Sequence, residues 1–435
     1  MSLGKFFKNS NYFNVLLALL PISFVAGNLI INLNTIIIII SSVLLFGKDL
    51  FKIKFLLLDK FIYIFFALIL FTAVYNDINF IRSDAYPEDF YTTKKSILFL
   101  RYLFLYISVR YLIEKKLVSL KFFFSSCLLS SLFVSFDIFY QFIFREDIFG
   151  YKVIGRRLSG PFGDELIAGG YLSKFSIIAL FSLPLFYNKS SKHYLKFLIP
   201  AFVIIFISAI ILSGNRMPFI MYIFTLTLIA IFQSQFRKYF FIFVTGILIV
   251  FFIGYKFNNE VRTNFNTFYI QVSKMAIILY QKDFDNKNSP LYFKQFYSFY
   301  DTWLMNKYVG GGIKNFRYYC HVRPNQNKES GFICNMHPHN YYLEILTETG
   351  LIGFIIVILI FIQIIYLTFY KKYLSGSKLK FDNAIIPFIF LFIAEIFPLK
   401  STGSFFTTNN ATLLFLIIAI LIGLVNRNNL IENKK

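Results

Sequence analysis

What most constrains this chain is the recurrence of long apolar runs carrying almost no charge. They fall at 12–31, 33–47, 61–75, 96–113, 118–144, 166–187, 194–213, 217–232, 239–257, 341–370, 384–397 and 411–425. A run of roughly 20 apolar residues crosses a bilayer as a helix, since only a helix or a closed barrel satisfies its backbone polar groups in hydrocarbon. The pattern predicts an all-α integral membrane protein of about 12 transmembrane helices. The runs at 33–47 and 384–397 are short enough to be tilted or partly re-entrant. Charged residues make up 15% of the 435 positions, against about a quarter in a soluble domain, so no large water-soluble unit is expected. The chain divides into 1–257 with helices 1–9, a long loop at 258–340, and 341–435 with helices 10–12 and a tail.

The formal net charge is +22, yet it marks topology rather than a nucleic-acid surface. The basic residues sit in short clusters between apolar runs: Lys48, Lys52, Lys54 and Lys60; Lys115, Lys116 and Lys121; Lys189, Lys192 and Lys196; Arg237 and Lys238; Lys371, Lys372, Lys378 and Lys380. Loops on the alternate side carry nearly as many acids as bases. The positive-inside bias puts both termini in the cytoplasm and the 258–340 loop outside. Lys5 and Lys8 precede the first run, but no small-residue cleavage site follows, so that run reads as an uncleaved first helix.

The outside loop is too long for a plain connector. Its first half repeats apolar residues at helical spacing (Phe265, Phe268, Tyr269, Val272, Met275, Ile278, Leu279), as expected of an amphipathic helix on the membrane surface. Its second half, Val309 to Gly353, opens on Gly310–Gly312 and gathers Lys314, Arg317, Arg323, His321, His337 and His339. Cys320 and Cys334 share this loop, where an oxidising compartment would let them pair; zinc held with His321 or His337 is the rival reading. Asp283 and Asp285 could suggest a metal site, but two carboxylates in a loop rich in Lys and Asn are more often solvated.

Arginine suits phosphate oxygens because its planar fork donates two parallel hydrogen bonds and keeps its charge. The outside segments hold Arg156 and Arg157 in G-R-R-L-S-G-P-F-G, Arg216 in the tight turn S-G-N-R, and Arg317 and Arg323. Interfacial arginines on lipid headgroups are the bland alternative, weakest for Arg216 because its turn leaves it little room. Pro338 suits a first helical turn, which would place His339 at the start of the tenth span. The positive end of the helix there would favour a neutral imidazole able to accept a proton. Asn340 follows it, and Glu344 and Glu348 share a helix face where they would orient the histidine or substrate hydroxyls.

Three segments together resemble the O-antigen ligase and polymerase superfamily of bacterial membrane proteins. Ser213-Gly214-Asn215-Arg216 is similar to its S-x-S-R turn, Gly310 to Phe316 to its G-x-G-x-x-x-F element, and His339 to Gly353 to its H-N-x-x-L…E-x-G-x-x-G stretch. Arg157 to Gly163 resembles an R-x-x-G-x-F segment more weakly, with Asp164-Glu165 where Pro-Asn often follows. The resemblance implies a GT-C-type glycosyltransferase of the inner membrane, with its active site facing the periplasm. It would need no metal or nucleotide cofactor. The donor would be a glycan on undecaprenyl diphosphate; the acceptor would be lipid A-core oligosaccharide for a ligase or another lipid-linked glycan for a polymerase. By position, Arg216 would hold the diphosphate, Arg317 would be a second ligand, and His339 would be the base. Arg156, Arg157, Arg323, His337, Asn340, Glu344 and Glu348 complete the substrate-binding candidates.

A transporter or flippase of an anionic solute is the reading from another class. It would place ionisable residues at mid-membrane, where Arg101, Asp137, Lys174 and Glu395 are the candidates.

Overall fold

A computed structural model describes residues 10–79, 90–153, 155, 157–186, 192–281, 291–322, 334, 337–375, 384–401 and 403–432. Every apolar run of the sequence lies on a helix. In order these are α1 (Ser10–Ala26), α2 (Asn28–Phe46), α3 (Leu57–Asn79), α4 (Tyr91–Phe99) continued by α5 (Arg101–Glu114), α6 (Leu120–Phe144), α7 (Ala168–Phe186), α8 (Lys192–Leu212), α9 (Arg216–Phe232) and α10 (Ser234–Phe257). Then come α11 (Asn259–Gln281), α12 (Leu291–Met305), the single turn α13 (Phe316–Tyr319), α14 (Tyr341–Ile365), α15 (Ile385–Glu395) and α16 (Thr408–Glu432). There is no strand among the described residues; an isolated bridge joins Glu146 and Lys152.

Six of these helical stretches are long and apolar enough to cross a membrane: Asn28–Phe51, Leu57–Asn79, Tyr91–Glu114, Leu120–Phe144, Tyr341–Leu374 and Thr408–Arg427. The first boundary differs from the expected one. The chain breaks at Gly27 (φ 104°), five residues before the break read from hydropathy, because only glycine takes that backbone angle without strain. α15 has 11 residues and so extends only about 16 Å. Its side chains are almost entirely enclosed by protein, as a short apolar segment off the lipid must be.

Contacts fix which helix ends lie together. At one end, Arg110 of α5 donates to Glu114 at 2.7 Å, to the Lys54 carbonyl at 2.7 Å and to Asp59 at the start of α3. Asn426 of α16 also reaches Glu114, at 2.6 Å. Arg110 is fully buried, so an ion in a low-dielectric interior is tolerated only because each arm of its fork has an acceptor. At the other end lie the C-terminus of α3, the N-termini of α7, α9 and α14, and the segment before α16. Both Arg216 and His339 belong to that second end.

Candidate functional site

The site is built around a break in α14. Gly350 leaves helical geometry at φ 66° and ψ −173°, which frees backbone groups on either side of it. The loop 307–312 takes them up. The Gly311 N–H donates to the Thr347 carbonyl at 3.0 Å and the Gly312 N–H to that of Glu348 at 2.8 Å. In return, the Leu351 and Ile352 N–H groups donate to the carbonyls of Lys307 and Tyr308 at 2.8 and 3.2 Å. The two backbones approach so closely that a Cβ on Gly350 would lie 2.2 Å from the Tyr308 oxygen, and one on Gly310 would lie 2.4 Å from the Gly350 nitrogen. The glycines of G-G-G and E-T-G thus serve one function, a backbone interlock that no side chain would permit. Asn76 of α3 and Asn306 close it from outside, donating to the Gly310 carbonyl at 3.0 and 2.8 Å.

The interlock carries the loop's charges to fixed places. Phe316 stacks on Phe299 and packs with Cys320, Cys334 and Leu343 in a small core of its own. Cys320 and Cys334 are joined by a disulfide (Cα–Cα 5.7 Å), so this core ties α12, the loop and the first turn of α14 together. Arg317, next to Phe316, lies over the Tyr318 ring. Lys314 holds a left-handed backbone (φ 63°), a strained state for a residue with a Cβ and one that concentrates at functional positions. Its charge acts on Glu344, Glu348 and His337. Lys314 is not among the substrate-binding candidates of the sequence, although a lysine just after a run of three glycines is a signal for such a role.

The histidines differ from expectation in one respect. α14 begins at Tyr341, and its cap is Asn340, whose side chain accepts from the N–H groups of Tyr342 and Leu343 at 3.0 and 3.2 Å. Asparagine is among the best residues for that task. Pro338 therefore precedes the helix, and His339 stands just outside it at φ 55°, a second strained backbone. The imidazoles of His337 and His339 meet with ring centroids 4.4 Å apart. Burial lowers the pKa of His339 below its usual 6.5. His337 falls to about 4, first from burial and then from the neighbouring His339, Lys314 and Arg317. Both are neutral at pH 7, and His339 is able to accept a proton.

Glu344 has partners beyond the histidines. Its carboxylate accepts from Ser404 Oγ and from the Phe405 N–H, both at 2.5 Å, and so fastens the segment before α16 to α14. Glu348 is buried one turn further along, where Oε2 lacks a hydrogen-bond partner and Glu344, Lys314 and Arg317 are its charged neighbours.

Arg216 is the first residue of α9, with Asn215 preceding it. Gly169 of α7 lets the turn pack closely, since a Cβ there would lie 2.5 Å from Ser213 Oγ. The guanidinium donates to Gln271 at 3.0 Å and lies 5.8 Å from the centre of the Phe268 ring, both on α11. The expected amphipathic helix is therefore present as α11, and it covers Arg216. Part of its apolar set stays open, with Tyr269 74% exposed. His337 feels the charges of His339, Lys314 and Arg317, while Arg216 stands at the start of α9 against α11. Arg157 is exposed in the loop after α6. Arg156, Arg323, Asp283 and Asp285 lie outside the described residues.

The mid-membrane candidates also resolve. Lys174 lies 3.6 Å from Glu395, and Lys400 lies 2.5 Å from the same carboxylate oxygen. Asp137 accepts from the Ile148 N–H at 2.9 Å and holds the loop after α6.

Comparison with known proteins supports the O-antigen ligase and polymerase superfamily: residues 201–358 match the family model described as O-antigen ligase. The match runs from α8 through Arg216, Arg317 and His339 to just beyond the interlock. No curated protein matches the chain.

Proposed function

We propose, from the superfamily to which residues 201–358 point, that this chain is a membrane glycosyltransferase of the O-antigen ligase type. It would move a glycan from undecaprenyl diphosphate to lipid A-core oligosaccharide at the periplasmic face of the inner membrane, with both termini in the cytoplasm. What supports this reading is that the matched region 201–358 contains Arg216, Arg317 and His339, with His339 against His337 and the charges of Lys314 and Arg317 acting on His337. In the proposed reaction, His339 takes the proton of the acceptor hydroxyl as its oxygen attacks C1 of the donor sugar. The bond from C1 to the diphosphate oxygen breaks on the opposite face, giving inversion. Arg216 and Arg317 receive the negative charge that builds on the departing polyprenyl diphosphate. Donors fixed before the charge develops are the efficient way to stabilise it.

The test is transfer by purified protein from a polyprenyl-diphosphate glycan to lipid A-core oligosaccharide. Arg216→Ala and His339→Ala should each abolish it in correctly inserted protein; near-wild-type transfer by either variant rejects that residue's role. Extension of the lipid-linked glycan without attachment to lipid A-core would make the enzyme a polymerase. Solute movement without glycan transfer would make it a transporter.

A further inference from the structure

We propose that Lys400 is a positioning residue for His339, acting through Tyr341 and the flanking residues 395–400, 404 and 405, which hold the first turn of α14 like a strap. The inference rests on the reading of His339 as the base. Asn340, Tyr341, Tyr342 and Glu344 of that turn are all tied to the same segment. Asn340, the cap, donates through Nδ2 to the Pro398 carbonyl at 2.8 Å. The Tyr342 hydroxyl donates to the Ile396 carbonyl, and Glu344 accepts from Ser404 and Phe405. Between them, Lys400 Nζ donates to Glu395 at 2.5 Å and to the Tyr341 hydroxyl at 3.4 Å; that hydroxyl in turn donates to Glu395 at 3.4 Å. His339 immediately precedes this turn on a strained backbone, so its imidazole is only as well placed as the turn is.

The ammonium is the central piece because it is buried and shared. Lys400 is 6% exposed. The charged or titratable groups that face it are Glu395 on α15, Tyr341 on α14 and Lys174 on α7, with Glu344 next along α14. Asn410 of α16, uncharged, accepts from Lys174 at 3.0 Å. Two ammonium groups on one carboxylate leave a surplus positive charge in a buried place, and losing a proton relieves it. Burial above all, with Lys174 helping and Glu395 opposing, brings the pKa of Lys400 down to about 8. Above that pH Lys400 is a neutral amine facing the Glu395 carboxylate, so the hydrogen bond between them is no longer charge-assisted at the donor and this tie of the strap weakens. The same network joins the two halves of the site. Lys174 lies on α7 about 7.5 Å along the helix from Gly169, which packs against the turn carrying Arg216.

The experiment uses full-length protein in nanodiscs, with Lys400→Met and Tyr341→Phe. Transfer from polyprenyl-diphosphate glycan is measured against pH, together with hydrogen exchange at the amides of Tyr342 and Leu343. A misplacement of the base by about 1 Å predicts a kcat about 100-fold lower in Lys400→Met, with donor KM little changed. The wild-type rate should fall as pH rises through about 8, whereas Lys400→Met should lack that limb. A purely structural role would change the level of the profile but not its shape. Both variants should also exchange faster at the two amides. If Lys400→Met does not insert, Tyr341→Phe decides, since an unchanged kcat there overturns the proposal. An unchanged alkaline limb in Lys400→Met overturns it as well. Failure of His339→Ala to reduce transfer would defeat the functional reading instead, and the exchange rates would still report on the strap.

Discussion

Replacing Gly350 by alanine should unfasten the loop that carries Lys314 and Arg317. The new Cβ would lie 2.2 and 2.3 Å from the Tyr308 oxygen and carbonyl carbon and 2.5 Å from the Val309 nitrogen. All three are backbone atoms that cannot rotate aside. The backbone at φ 66° and ψ −173°, a region that glycine alone adopts freely, adds about 1–3 kcal/mol for a residue with a Cβ. Separating the two segments removes the hydrogen bonds at Gly311, Gly312, Leu351 and Ile352, each contributing about 1 kcal/mol net. The sum, about 5 kcal/mol, is comparable with the whole stability of many domains, so the loop should detach locally before the bundle unfolds. Limited proteolysis between 291 and 340 and the thermal midpoint in detergent both report it. Gly170→Ala is the control, since a Cβ there meets nothing within 4 Å and a helical Gly→Ala change stabilises by about 0.5–1 kcal/mol. Equal midpoints and equal protease resistance in Gly350→Ala and wild type would refute the interlock.

Three further outcomes follow from the site. Because burial lowers the pKa of His339 below 6.5, the acid limb of kcat/KM should have its midpoint below pH 6.5, and a midpoint at 7 or above would contradict a buried neutral base. Arg216→Lys keeps a charge but loses the planar fork, so kcat/KM should fall about 10- to 100-fold, whereas Gln271→Ala, which only releases the guanidinium from α11, should retain kcat. The Cys320–Cys334 bond closes a short loop, with a sequence separation of 14. Its reduction should cost about 3 kcal/mol, seen as a lower unfolding midpoint of the 258–340 segment with reductant and no change in a Cys320→Ser, Cys334→Ser variant.

The alkaline loss of rate assigned to Lys400 is separable from denaturation by its sign. A lysine held at about 8 when folded and near 10.5 when unfolded binds more protons in the unfolded chain between those values. Its contribution to stability therefore rises with pH over that window, opposite to the expected loss of activity. His337 acts with the same sign at low pH. With its pKa near 4 when folded and 6.5 when unfolded, it destabilises the fold as pH drops from 6.5 towards 4.

By itself, the sequence determined where the helices run and which residue types could do the chemistry. An apolar run must become a helix in hydrocarbon whatever its neighbours are, and a histidine or arginine keeps its chemistry anywhere. It also marked the glycines and the paired cysteines, though as a motif rather than as parts that meet. The tertiary structure decided which distant residues share a place: Gly310 against Gly350, Gln271 on Arg216, and Lys400 and Glu395 on Tyr341. It also decided that Asn340 caps α14 and that Glu344 fastens the segment before α16. These pairings follow from how helix ends pack, and local periodicity carries no record of a contact made tens of residues away. Hydrogen-bond partners and buried charge are set by that packing, so they become visible only once the chain is folded.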